Sequence, residues 1–145
     1  LKEDGGILDD TTVYRFNKQH YWVITSTPNG EKVFRWISEH SKGSNAWVTD
    51  VSSGTALICV QGPLSREILK PLCDCDLSDL DYFRFVVVKV AEVDCILSRT
   101  GFTGEHGYEV YCPAEYSNDM WDQLLARGRA FGALPYGLEA LLSLR

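Results

Sequence analysis

Two short segments carry residues whose types and spacing suit chemistry. Gly5-Gly6-Ile7-Leu8-Asp9-Asp10 sets two carboxylates directly ahead of a β-type run, with two glycines that admit another backbone or a flat ligand at close range. Adjacent residues of an extended chain point to opposite sides, so one acid can face a pocket while the other faces water. The inward acid loses solvation, which moves its pKa toward neutrality and fits it for acid–base work. A turn with capping acids is the competing reading of the same residues. The second segment, Arg99-Thr100-Gly101-Phe102-Thr103-Gly104-Glu105-His106-Gly107-Tyr108-Glu109, brackets an aromatic, an acid and a histidine with glycines at every third position. It lacks the Gly-Lys-Ser/Thr ending of a phosphate loop and the following helix of a dinucleotide site. A pocket edge built from it offers Phe102 as a ring to stack on and Glu109, on the next strand, as an acceptor for two N–H groups of a heterocycle. A glycine-rich β-turn is the alternative.

Other reactive residues give no constellation. His20, His40 and His106 are scattered and no Gly-x-Ser-x-Gly elbow occurs, so neither a triad nor a metal site has spacing support, and all three are expected at the surface. The five cysteines are odd in number and form no CxxC pair, which predicts free thiols in a reducing compartment and no bound metal. Asp74, Asp76, Asp79 and Asp81 lack the central glycine and closing glutamate of a calcium loop, and read as capping and solvated acids.

The elements that must position these groups follow from periodicity. Thr12–Phe16 and Tyr21–Thr25 flank a polar Asn17-Lys18-Gln19 and read as a hairpin. After Pro28-Asn29-Gly30, the spacing of Val33, Trp36, Ile37 and His40 predicts a helix from about Glu31 to Ser41. Trp47–Val51 and Thr55–Val60 read as strands around Ser52-Ser53-Gly54, where a domain seam is expected, giving parts 1–51 and 52–145. Pro63 opens a short helix with Leu64, Ile68, Leu69 and Leu72 on one face. Three strands follow, Phe83–Val90, Val93–Arg99 and Tyr108–Cys112, then an amphipathic helix Ala114–Arg129 with Gly132 as its left-handed terminator. Short links between consecutive strands require antiparallel pairing, so the expected class is α+β with antiparallel sheets flanked by helices.

Composition bounds the partners. The chain has 145 residues, 45% hydrophobic and 23% charged, the profile of a folded domain. A net charge of -6 opposes binding to a phosphate backbone, which excludes nucleic acid as an expected partner. No apolar run reaches the roughly 18 residues of a membrane span and no leader pattern opens the chain, so a soluble cytoplasmic protein is expected, or a mitochondrial matrix protein if eukaryotic. An apolar-periodic run is still in progress at Leu141-Leu142-Ser143-Leu144-Arg145, which predicts an excerpt of a longer protein.

Taken in order and spacing, four blocks closely resemble the aminomethyltransferase family, the T-protein of the glycine cleavage system. They are Gly5–Asp10, Leu57-Ile58-Cys59-Val60-Gln61-Gly62-Pro63, Ser98–Glu109 and Gly137-Leu138 to Ser143-Leu144-Arg145. The resemblance implies the central part of a two-domain folate-binding region, without the family's C-terminal barrel. It implies one-carbon transfer with tetrahydrofolate as co-substrate and a reduced folate as ligand. By the same resemblance Asp10 is the catalytic acid beside the reacting part of the folate, Glu109 the pterin-binding acid and Tyr14 a folate-contacting aromatic. Thr25 and Phe102 stand in the folate site where the T-protein has Asn and Tyr, and Leu141-Leu142 stands where it has Arg-Asp.

These departures give the resemblance a second branch. Thr25 and the 140–145 ending look more like the folate domains fused to sarcosine and dimethylglycine dehydrogenases or oxidases. The implied partner is then an amine-oxidising flavin domain in place of a lipoyl carrier protein. A folate-binding module without catalysis is the third reading. The iron–sulfur assembly relatives carry a Cys and a Gly-Gln-Glu in the glycine-rich block, where this chain has Phe102 and Gly104-Glu105-His106.

Overall fold

The structure, a computed structural model, describes residues 1–144. Arg145, the last residue of the family-like ending, lies outside the described residues. The chain is α+β: the described residues form two antiparallel sheets and four α-helices and divide into two compact units, Leu1–Val51 and a second beginning at Ser52.

The first unit is a hairpin followed by a helix. Strands β1 (Thr12–Arg15) and β2 (Tyr21–Ile24) pair antiparallel, with Tyr14 opposite Trp22. The polar link closes as Phe16 N–H donates to the His20 carbonyl at 3.0 Å, while Asn17 Oδ1 accepts from the Gln19 N–H at 2.8 Å. That Asn17 bond is the local side-chain turn that asparagine supplies. A 3-10 turn with Pro28 near its start leads into α1 (Gly30–His40), whose Val33 is buried. The predicted strand Trp47–Val51 is irregular chain instead, and neither sheet takes it up. Its Trp47, Thr49 and Val51 side chains are exposed, Trp47 to 86%, and such residues favour a strand only through the packing surface a sheet provides.

The second unit is built on a four-stranded sheet of order β3-β6-β5-β4, from β3 (Thr55–Gln61), β4 (Phe85–Val90), β5 (Val93–Ser98) and β6 (Gly107–Pro113). β4 starts two residues later than the alternation predicts, because Phe83 has φ +58°, a left-handed turn no strand accommodates. The β4–β5 link is two residues long, Ala91 and Glu92, both with positive φ as a type I′ hairpin demands. Helices α2 (Ser65–Leu69), α3 (Ser117–Gly128) and α4 (Leu138–Leu144) complete it. The predicted helix from Ala114 opens as a 3-10 turn over Ala114–Tyr116, and Gly132, at φ +72°, ends the 3-10 turn that follows α3.

Side-chain alternation gives this sheet two unlike faces. Ile58, Val110, Leu97 and Val86 share one face with Tyr108, Cys112, Cys95, Val88 and Val90, and together with Leu69, Met120 and Leu124 they form the core. The other face carries Leu57, Cys59, Ser98, Glu109, Tyr111 and Val87. All five cysteines are free. Burial pushes the Cys73 thiol up to about 12 and the Cys95 thiol up to about 11, with Cys112 adding to the latter. Among the described residues no helix is long and apolar enough to cross a membrane.

Candidate functional site

In the first unit the paired acids separate as an extended backbone dictates. Asp9 turns inward: its carboxylate accepts from the Ser26 N–H at 3.0 Å, the Ser26 hydroxyl at 2.5 Å and the Asn29 amide at 2.8 Å. Burial opposes its charge, yet the bonds from Ser26, from Asn29 and from the backbone of Asp10 outweigh that and hold the carboxyl below its ordinary value. The sequence argument expected the inward acid to rise toward neutrality. It falls instead, because donors rather than apolar groups surround it. Asp10 is exposed.

The Asp9–Ser26 contacts bring Asp10 into the neighbourhood of Thr25, which precedes Ser26 and is half-buried. Tyr14 lies on β1 and is 3% exposed. Asp10, Tyr14 and Thr25 thus belong to the first unit, while Phe102 and Glu109 belong to the second.

In the second unit Glu109 sits mid-strand on the face turned away from the core, between Cys59 on β3 and Ser98 on β5. The Thr100 hydroxyl donates to its Oε2 at 2.5 Å and the Tyr111 hydroxyl donates to the same oxygen at 3.0 Å. Thr100 Oγ1 also lies 2.9 Å from Ser98 Oγ. Two hydroxyl donors thus converge on one oxygen of the carboxylate and fix its orientation. Cys59 is an exposed residue, yet desolvation of its sulfur and the charge of Glu109 push the thiol up to about 11. The Tyr136 phenol is raised as well, by burial first and then by the charges of Cys59 and Glu109.

Phe102 is 48% exposed in the glycine-rich loop that leads to β6. His106 is not the surface residue the sequence suggested. Its ring is partly buried, with Nδ1 3.3 Å from the Ser65 hydroxyl and an edge-on contact to Tyr108, and burial followed by the charges of Arg99 and Arg66 lowers its pKa.

The residues that sequence reasoning passed over are Gln61, Thr100, Tyr111 and Tyr136. Tyr111 had a local signal, two residues beyond Glu109 on a strand and hence on its face. The others act across loops and have none. Among the described residues no group of three or more His, Cys, Asp and Glu side chains is placed to hold a metal ion.

Known proteins share both the sequence and the fold. The chain matches the GCVT N-terminal domain family over residues 1–145. It is 42% identical over 142 residues to an aminomethyltransferase of Moorella thermoacetica, and 36% identical over 143 residues to one of Thermoanaerobacter sp.. In both cases 98% of this chain is covered, and the chain spans 39% of the relative's length. An aminomethyltransferase of Clostridium botulinum is 38% identical over 144 residues. Among solved structures, a chain of the heterotetrameric sarcosine oxidase from Corynebacterium sp. U-96, in complex with pyrrole 2-carboxylate, superposes with a TM-score of 0.73 at 18% identity. That match covers 91% of this chain and 66% of the other. Similarity at this level shows the shared α+β fold, and the family match shows the lineage: this chain belongs to the GCVT N-terminal domain family.

Proposed function

We propose that this chain is the folate-binding part of a tetrahydrofolate-dependent aminomethyltransferase of the glycine cleavage type. The observation that carries the reading is the Glu109 site. An acceptor-only carboxylate, oriented by Thr100 and Tyr111, stands on a sheet face that also bears Leu57, Tyr111 and Val87. A pterin is flat, apolar on its faces and edged with N–H donors, so the donor and acceptor chemistry of these residues fits it.

In this reading Glu109 fixes the pterin edge and the exposed Phe102 ring supplies stacking surface. Tetrahydrofolate, when bound, supplies the nitrogen that takes up the one-carbon unit. Asp9 is occupied in holding the Ser26 turn, which leaves the exposed Asp10 to manage protons at the reacting centre. Holding the reactants in place supplies much of the rate. The one-carbon unit arrives on a lipoyl carrier protein.

A second reading, the one-carbon-capture domain of an amine-demethylating enzyme, is favoured by Thr25 and Leu141 at positions where the T-protein carries Asn and Arg. Aminomethyltransferase relatives at 36–42% identity favour the first. The fold likeness to sarcosine oxidase is compatible with both. Calorimetry of the intact protein with 5-formyl-tetrahydrofolate, then turnover with an aminomethylated lipoyl carrier against methylamine donors, tests both readings. Saturable heat and turnover with the carrier are expected. No heat at high micromolar folate overturns folate binding, and turnover with a methylamine donor alone selects the second reading.

A further inference from the structure

Gln61 ends β3 and points its carboxamide into the base of the glycine-rich loop. Its Nε2 donates to the Tyr108 carbonyl at 3.0 Å and to the Thr100 carbonyl at 3.3 Å, while its Oε1 accepts from the Thr103 hydroxyl at 3.3 Å. One side chain thus ties together the start, middle and end of the segment 100–108.

The glycines on either side make room for it. A Cβ on Gly101 or on Gly107 would fall on top of the Gln61 carboxamide. Neither glycine has positive φ, so their lack of a side chain serves this insertion and not an unusual backbone angle. The neighbouring turn adds stitches, with the Gly62 N–H donating to the His106 carbonyl at 2.7 Å and the Ser65 hydroxyl donating to the same oxygen at 3.4 Å. The bonds at Thr100 connect the latch to the site. Gln61 fixes the Thr100 backbone, and the Thr100 hydroxyl donates to Glu109.

We infer that Gln61 is a positioning residue for the ligand site: its carboxamide, seated between Gly101 and Gly107, sets the loop that presents Phe102 and the Thr100 hydroxyl that aims Glu109. The inference rests on the folate reading for its ligand, though not for the latch itself. Gln61 exerts its role through Thr100. Gly101→Ala is expected to act through the same latch, since the added methyl displaces the end of a flexible side chain.

The test is a double-mutant cycle on the intact protein, with 5-formyl-tetrahydrofolate affinity and amide hydrogen exchange over residues 100–108 as its two readouts. Gln61→Ala and Gly101→Ala should each weaken the folate at least tenfold and speed exchange in this loop, while the double variant should be no worse than Gln61→Ala alone. Gln61→Glu keeps the size and loses both donated bonds, so it should also weaken binding at least tenfold. Leu124→Ala, a destabilising change in the core away from the loop, should leave affinity within twofold.

Affinity unchanged in Gln61→Ala, or additive losses in the double variant, would overturn the inference. So would a loss in Leu124→Ala as large as that in Gln61→Ala. If the unaltered protein binds no folate, the functional reading fails while hydrogen exchange still judges the latch. Coupled exchange effects then uphold it, and additive ones sink it.

Discussion

The two units hold their shape by different means. In the second, the inner sheet face and its helices form a continuous apolar core, including fully buried Tyr108, Leu97 and Val110. In the first, the buried apolar residues are Tyr14 and Val33, and a carboxylate does much of the fastening: Asp9 gathers Ser26 and Asn29 ahead of α1. The difference assigns duties to the acids. Where the apolar core is thin, one acid of the Asp9–Asp10 pair is committed to the fold and its neighbour is exposed, the one to which the proposed function gives the proton chemistry. Where the core is thick, Glu109 lies on the opposite sheet face and can serve a ligand without being needed inside.

Changes to each acid and to each fastening can break or sharpen this contrast. The largest expected effect is at Asp10. Asp10→Asn keeps the side-chain shape and should lower turnover by about 100- to 10,000-fold with little change in folate affinity. Turnover that survives intact would move the proton chemistry elsewhere. Next is the dry face of the sheet: Leu97→Ala should cost about 2–5 kcal/mol in denaturant unfolding of the second unit, the usual range for truncating a buried leucine. A loss well under that range would mean the core is looser than its burial suggests.

Glu109→Gln, on the opposite face, should weaken folate by about 1.5–3 kcal/mol, the scale of a hydrogen bond to a charged group, while leaving unfolding nearly unchanged. Equal damage to folding and binding would erase the distinction between the two faces. The smallest effect is expected at the carboxylate clamp. Asp9→Ala should cost about 1–2 kcal/mol of stability in the first unit by stranding the Ser26 and Asn29 donors.

That last contribution should also depend on acidity. The folded carboxyl titrates below its ordinary 3.8, so the clamp is complete above that value and is lost as pH falls through the lowered folded one. The gap between wild type and Asp9→Ala should therefore be constant at neutral pH and close in acid. A gap that persisted in acid would mean the clamp does not depend on charge.

Local pattern made much of this fold legible. The runs Val93–Arg99 and Tyr108–Cys112 marked real strands, observed as Val93–Ser98 and Gly107–Pro113, because both have one face in the core. Trp47–Val51 shows the opposite case, a run of suitable residues that no sheet takes up. In the site, extended-chain geometry foretold that Asp9 and Asp10 would part. It could not tell which turned inward, since that depends on Ser26, 17 residues later. The glycines at 101 and 107 were conspicuous in the sequence, but their reason, the Gln61 carboxamide, lies about 40 residues upstream and leaves no trace in local spacing.

The buried thiols give the protein a built-in clock for its own opening. At pH 7 a thiol held near 11, as Cys95 is, exists as thiolate in about one molecule in ten thousand, whereas an unfolded cysteine reaches a few per cent. Alkylating reagents attack the thiolate, and Cys95 and Cys112 are also sealed from solvent within the core. Labelling of these two positions is thus gated by excursions that uncover the core face of the sheet. Its rate, followed site by site, times how often the core behind the Glu109 face is laid open.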